Sequence, residues 1–219
     1  MILYGADLSC PSNKVRFVLH CLGLKYEYRR VNLRAGEHRR PEFLQKNPIG
    51  KIPVLEDGDF VLAESNAIAR YLCEAHSSPL YPRPLKSRAR VEQWLDFGSL
   101  HIGAAMNRIV FNRIFAPRIG EAVDEASVKT GEKFLNRFLP VVENQILKND
   151  TRTLLPEGLT LADLNLLSIL DPAEAAGIDL EPYPALSEWR QRLMAQEFYR
   201  RCHTCYTDVL QSVLGPQAA

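Results

Sequence analysis

The stretch at 47–72, NPIGKIPVLEDGDFVLAESNAIARYL, restricts the fold more than any other part of the chain. KIPVL reads as a short strand with a proline near its start, where a ladder amide is normally needed. Such a strand lies at an edge or begins in an unusual geometry. The turn EDGD and the apolar run FVLA complete a hairpin. Glu64-Ser65 then precedes Ala67, Ile68, Tyr71 and Leu72, apolar residues at helical spacing. A carboxylate and a hydroxyl therefore stand at a helix start beside an interrupted strand. From these residues alone, a plain hairpin followed by a capped helix accounts for the pattern equally well.

Before the hairpin the chain reads strand, helix, strand. Residues 2–4 are apolar, and 5–12 hold Gly, Asp, Ser and Pro and form a loop. Val15, Phe17, Val18, Cys21 and Leu22 recur at helical spacing from Asn13 onward, and Gly23 suits the C-cap. Tyr26, Tyr28 and Val31 alternate with charged residues, as in a half-buried strand. A polar stretch, 34–48, is broken by Gly36, Pro41 and Pro48, with room for a short helix at 41–44. The crossover permits parallel pairing and the hairpin adds antiparallel pairing. A mixed four-stranded sheet with helices on its faces, an α/β unit spanning 1–77, is the expected result.

Residues 77–85, SSPLYPRPL, carry three prolines in nine and read as a linker. No strand-like alternation follows, so 86–219 is expected to be all helix. A long periodic segment runs from Val91 to Val110, interrupted near Gly98 and Gly103, and Pro117 and Gly120 mark a break. A second helix covers 128–142. Thr160-Leu161-Ala162-Asp163 is a capping box, with Asp in place of the more usual Glu, before the apolar helix of Leu164, Leu166, Leu167 and Leu170. Leu186, Trp189, Leu193 and Phe198 define one more amphipathic helix. The remainder reads as a weakly helical tail with a disordered final turn.

With 27 basic and 26 acidic side chains the chain has no charge bias toward nucleic acid or an acidic membrane surface. It has no apolar run long enough to span a bilayer, and it opens on a strand, so neither a membrane segment nor a secretory signal is expected. Five cysteines, odd in number and without framework spacing, point to a reducing compartment, the cytoplasm. Cys202 and Cys205 have CxxC spacing, but no second pair joins them to make up the ~4 ligands of a zinc site, so no metal is expected.

Four polar features converge in this layout. In the loop Asp7-Leu8-Ser9-Cys10-Pro11-Ser12, a hydroxyl or thiol at a helix start lies among unpaired backbone donors, which stabilise an anion. Ser9 would hydrogen-bond a docked thiolate, or Cys10 would be a thiolate itself. Ser12 is the expected N-cap. A cis bond before Pro53 would turn the Ile52 amide and carbonyl outward toward a peptide-like ligand. Ser65 and the amide behind it would hold a carboxylate, with Glu64 beside them, and His38 and Lys51 flank the same edge. A ligand with two carboxylates, a peptide backbone and a thiol satisfies all four.

Three stretches, LYGADLSCPSNKVRFVL, GEHRRPEFLQKNPIGKIPVLEDGDFVLAESNAIARYL and LTLADL, resemble those of the soluble glutathione transferases. The resemblance covers practically the whole chain. It implies a thioredoxin-like, glutathione-binding domain at 1–77 and an all-α domain at 86–219 that supplies the electrophile site. The chain is most similar to the serine-type phi and theta groups, and a bacterial member is expected. The resemblance makes Ser9 the residue that activates the glutathione thiol, with Cys10 as its rival, and makes Tyr4 core or cleft wall. It assigns His38 and Lys51 to the glycine end of glutathione, and Ile52 before cis Pro53 to the cysteinyl unit. Glu64 and Ser65 fall to the γ-glutamyl end, and Thr160 and Asp163 to folding. The second domain departs toward polarity at Asn107, Arg108, Asn112, Arg113 and Arg118. His101 and Arg108 are candidates for binding a polar electrophile, and Phe111 and Phe115 for lining its cavity; Trp94 is expected in the core. The implied reaction is attack of the glutathione thiolate on a small electrophile by a homodimer. A glutathione-dependent disulfide reductase and a non-catalytic glutathione-binding protein are the alternatives.

Overall fold

A computed structural model describes residues 1–214. Strand β1 (Ile2–Gly5) leads through a loop to α1 (Cys10–Cys21) and back to β2 (Glu27–Arg30). A 3-10 turn (Glu37–Arg39) and the short α2 (Pro41–Leu44) precede the hairpin β3 (Val54–Asp57) and β4 (Phe60–Ala63), which runs into α3 (Ser65–Ala75). The sheet order is β2-β1-β3-β4, with β1 parallel to β2 and antiparallel to β3. Side chains alternate across the sheet as strand geometry requires. Leu3 and Leu55 face α1 and α3, while Tyr4, Val31, Phe43 and Val54 form a small core on the other face. The Tyr4 hydroxyl, on that second face, donates to Glu56 (2.9 Å) and accepts from Arg29 (3.0 Å), which makes it a core residue. Gly5 lets α1 approach the sheet, since a Cβ there would stand 2.9 Å from Ser12.

The first helix begins earlier than periodicity indicates. Ser9, not Ser12, is its N-cap, and Cys10 and Pro11 occupy the first turn. Proline is tolerated there because its missing N–H would have lacked an intrahelical partner in any case.

The segment 76–84 contains no helix or strand, yet it is pinned: the Leu80 carbonyl accepts the N–H of Leu161 at 2.8 Å. Helix α4 (Leu85–Asp96), a π-helical turn (Phe97–Ile102), α5 (Gly103–Val110), a second π turn (Phe111–Phe115) and a 3-10 turn (Ala116–Ile119) follow as one rod. The expected interruptions near Gly98 and Gly103 fall where the α-helix gives way to the π turn and where it resumes, and Gly98 is also a close-packing position, where a Cβ would stand 2.7 Å from Asn165 Nδ2. Gly120, at φ 74°, ends the rod. Helix α6 (Glu125–Lys148) is capped by Asp124, which accepts the Ser127 N–H at 2.9 Å, and it runs past Pro140 well beyond the expected end.

Helix α7 (Leu161–Leu170) is buried on nearly every side, packed on α1, α3 and α4. One apolar core therefore runs from Leu3, Phe17 and Ile68 through Leu95 to Leu164, Leu167 and Trp189. Each such side chain contributes about 1.5–3 kcal/mol by leaving water. The expected single helix at 186–198 is divided at 195–196 into α8 (Pro184–Met194) and α9 (Glu197–Arg200). The tail forms a regular helix, α10 (Tyr206–Leu214), held by buried Tyr206 and Leu210; the expected disordered final turn lies outside the described residues. Among the described residues no helix is long and apolar enough to cross a membrane.

Candidate active site

Pairing register gathers the candidate residues. Tyr4 opposes Val54, and Val54 opposes Ala63, so β1 ends, β3 begins and β4 ends on the same side of the sheet. At the usual strand spacing those three strand ends lie within about 10 Å of one another. The Ser9 loop, Ile52-Pro53 and Glu64-Ser65 leave the sheet at these points.

The Ser9 side chain is partly exposed at the N-terminus of α1, and its Oγ accepts twice, from the Ser12 N–H (3.3 Å) and the Ser12 hydroxyl (3.0 Å). Two accepted bonds polarise the Ser9 hydroxyl and leave its own hydrogen free to donate outward. The loop beneath it is fixed from several directions. Asn13 donates to the Asp7 carbonyl (2.8 Å), Arg30 pairs with the Asp7 carboxylate (2.7 Å), and Tyr206 donates to the Leu8 carbonyl (2.9 Å). Cys10 is placed differently. Burial, reinforced by the Asp171 carboxylate, pushes its thiol well above the usual cysteine range, so it stays protonated at neutral pH.

The Ile52-Pro53 bond is cis. Neither the amide nor the carbonyl of Ile52 has a hydrogen-bond partner among the described residues. The preceding turn is held by buried Asn47, whose Nδ2 donates to the Lys51 carbonyl at 2.7 Å and whose Oδ1 accepts the Ile49 N–H at 3.2 Å. Gly50, at φ 65°, packs on the His38 carbonyl. This brings His38, whose buried Nδ1 lacks a partner, beside Lys51, which is exposed.

Glu64 adopts φ 68°, a conformation costing a non-glycine residue about 1–3 kcal/mol. Its side chain makes no cap bond, although its carbonyl accepts the Ile68 N–H at 2.9 Å. The first amides of α3, those of Ser65 and its neighbours, are therefore left without a side-chain cap, an arrangement suited to a carboxylate.

In the helical part, the side chains named for the electrophile do not share one face. His101 packs its ring on Phe97 and Phe138, and Arg108 donates to Ser127 Oγ at 3.3 Å, so both are engaged with α6 and its flanking turn. Asn112, Arg113 and Arg118 are structural. Asn112 bridges the Arg108 carbonyl and the Asp124 N–H (both 2.8 Å), Arg113 holds the Ala176 carbonyl (2.9 Å) and pairs with Glu132, and Arg118 caps the Ile114 carbonyl (2.6 Å). The open stripe is Leu100, Ala104, Asn107 and Phe111, with half-buried Phe115 one turn on. Trp94 is partly buried against Phe97.

A mixed sheet with a cis proline opening β3, followed by an all-helical second part, defines a thioredoxin-like fold joined to a helical domain. The family models agree: residues 1–74 match the glutathione S-transferase N-terminal domain and 101–197 the C-terminal domain. The chain belongs to the glutathione S-transferase family. It is 34% identical over 210 residues to human glutathione S-transferase theta-2B, covering 93% of this chain and 86% of that one. With glutathione S-transferase F10 of Arabidopsis thaliana it shares 38% over 162 residues, 73% of this chain and 74% of the other. A human theta-class glutathione transferase, solved with the glutathione conjugate of 1-menaphthyl sulfate, superposes with a TM-score of 0.82 at 31% identity. That match covers 97% of this chain and 91% of the other.

Sequence reasoning missed Lys14, Asn47, Asn66 and Asn165. Asn47 was detectable as a turn-forming residue before Pro48. The other three sit on helices, where a polar residue normally signals a solvated face.

Proposed function

We propose that this glutathione transferase uses Ser9 to hold the glutathione thiolate for attack on a small electrophile. The observation that carries this reading is the doubly accepting Ser9 Oγ at the N-terminus of α1. A donor fixed before the ligand arrives favours the anion without reorganisation. Ile52 would pair its free amide and carbonyl with the cysteinyl backbone. Ser65 and the open amides of α3 would take the γ-glutamyl carboxylate, with Glu64 beside its amine, and His38 and Lys51 would take the glycine carboxylate. The exposed stripe through Phe111, with Phe115, gives the electrophile its apolar wall; His101 and Arg108 remain candidates only for a polar substituent reaching toward α6. The protonated Cys10 thiol weighs against the thiol-exchange alternative.

Five free cysteines support a cytoplasmic setting. Exposed Phe60, Val61, Phe134 and Val141 are apolar surface that a second copy would cover in a homodimer. The division into a domain ending near 77 and another starting near 86 belongs to the same proposal, as does a bacterial source; the relatives described above are human and plant proteins.

Ser65→Ala should raise the glutathione KM about 10-fold or more, as expected for losing a hydrogen bond to a charged group, with kcat nearly unchanged because the contact is remote from sulfur. Cys10→Ala should keep kcat/KM within about 3-fold. Steady-state kinetics with an activated aryl halide read both. A Cys10→Ala variant that loses conjugation, or that alone loses reduction of glutathione mixed disulfides, would move the chemistry to thiol exchange.

A further inference from the structure

Behind the pocket lies a buried cation that the mechanism above does not use. Lys14, on α1, is 5% exposed. Its Nζ donates to Asn165 Oδ1 on α7 at 3.0 Å and to Asn66 Oδ1 in the first turn of α3. Both amides are anchored in turn, Asn66 Nδ2 to Ser99 Oγ (3.2 Å) and Asn165 Nδ2 to the Leu95 carbonyl (3.3 Å). One ammonium thus joins α1, α3 and α7, and through Ser99 and Leu95 the rod that begins with α4. Among the described residues no carboxylate bonds to it, which is unusual for a buried charge.

We propose that Lys14 is a positioning residue of the glutathione pocket: it locks the start of α3 against α7 and sets a positive charge behind the amides that receive the γ-glutamyl carboxylate. The inference rests on the glutathione reading of that pocket. Asn66 follows Ser65 directly, so any movement of Asn66 moves the carboxylate-binding amides. The charge adds to the positive end of the α3 dipole from a buried position, where a nearby cation is worth ~10-fold or more in affinity for an anion.

The charge is also poised to change. Burial, aided by the neighbouring Arg70 on α3 and opposed by Glu64 and Cys10, holds the Lys14 amine down to about 7. From α7 and the π turn the partners are Asn165 and Ser99, which do not titrate. Below that value Lys14 is charged and supports the bound carboxylate. Above it the amine is neutral and the support is lost. Affinity therefore falls as pH rises through neutrality.

The test is calorimetric titration with S-methylglutathione, which has no thiol to ionise, between pH 6 and 8.5, on the full chain and on K14M and K14R. Wild-type affinity is expected to drop ~10-fold across this range relative to K14M, which binds at the weaker level throughout. K14R, charged at every pH, should hold the tighter level, and circular dichroism with thermal melting checks that both variants fold. Equal dissociation constants for wild type and folded K14M at all pH values would overturn the role of Lys14 alone. If K14M does not fold, a wild-type pH profile superimposable on that of K14R overturns it, and a profile that falls away from K14R above neutrality supports it. Absence of wild-type binding even at pH 6 would instead remove the glutathione reading, and this inference with it.

Discussion

Ser9→Ala should lower kcat/KM for conjugation at neutral pH by about 10²- to 10³-fold, the range for removing one preorganised donor to an anion. The loss should fall on kcat, because in the proposed site Ser9 would face sulfur while the carboxylate and backbone contacts of glutathione would lie elsewhere. It should also depend on pH. With the hydroxyl gone, the bound thiol returns toward the ordinary range near ~8.5, so the variant regains activity as the solution becomes basic. Ser9→Thr, which keeps a hydroxyl, should retain more activity than Ser9→Ala. Rates within a few-fold of wild type for the alanine variant, with no change in pH profile, would remove Ser9 from the chemistry.

Asp163→Ala should cost stability rather than chemistry, by about 3–5 kcal/mol, given about 1–3 kcal/mol for each buried donor left unpaired. A helix cap of this kind is ordinarily worth about 1 kcal/mol. The structure shows why the larger figure applies. One carboxylate oxygen accepts the Leu154 N–H and Trp189 Nε1–H, and the other accepts the Thr160 N–H and its hydroxyl, all at 3.0 Å. Asp163 is fully buried, and burial raises its pKa above the usual carboxylate value despite these donors. Truncation leaves at least three buried N–H groups without a partner, in contact with the helix on which both parts of the core converge. A chain of this size should lose about 2–4 °C of melting temperature per kcal/mol. Denaturant and thermal unfolding measure it. A variant within 1 kcal/mol of wild type would show that water or a shifted side chain takes over the four bonds.

These two residues illustrate what was legible in the chain. The hairpin, the crossover and the capping box follow from local patterns, because turn chemistry and caps act over three or four residues. The partners that Asp163 gains from Leu154 and Trp189 are set by tertiary packing, and no local spacing announces them. The same holds at Ser9 and Ser12, where either hydroxyl is a chemically suitable cap. The choice is fixed by Gly5, which lets Ser12 lie buried against β1. Between 97 and 115 two π turns shift the helical phase, so residues counted at a regular spacing no longer share a face. That is why His101 and Arg108 turn to α6 while Leu100, Ala104, Asn107 and Phe111 stay open. Lys14 gave no signal, since a lysine within NKVRF is read as surface until three helices close over it.

The most direct measurement is the ionisation of glutathione's sulfur in the binary complex, followed by thiolate ultraviolet absorbance as pH is raised, for wild type and Ser9→Ala. The account predicts that the wild-type complex ionises at least one pH unit below free glutathione and that the alanine complex does not. Matching titrations for the two proteins, at equal occupancy, would contradict it.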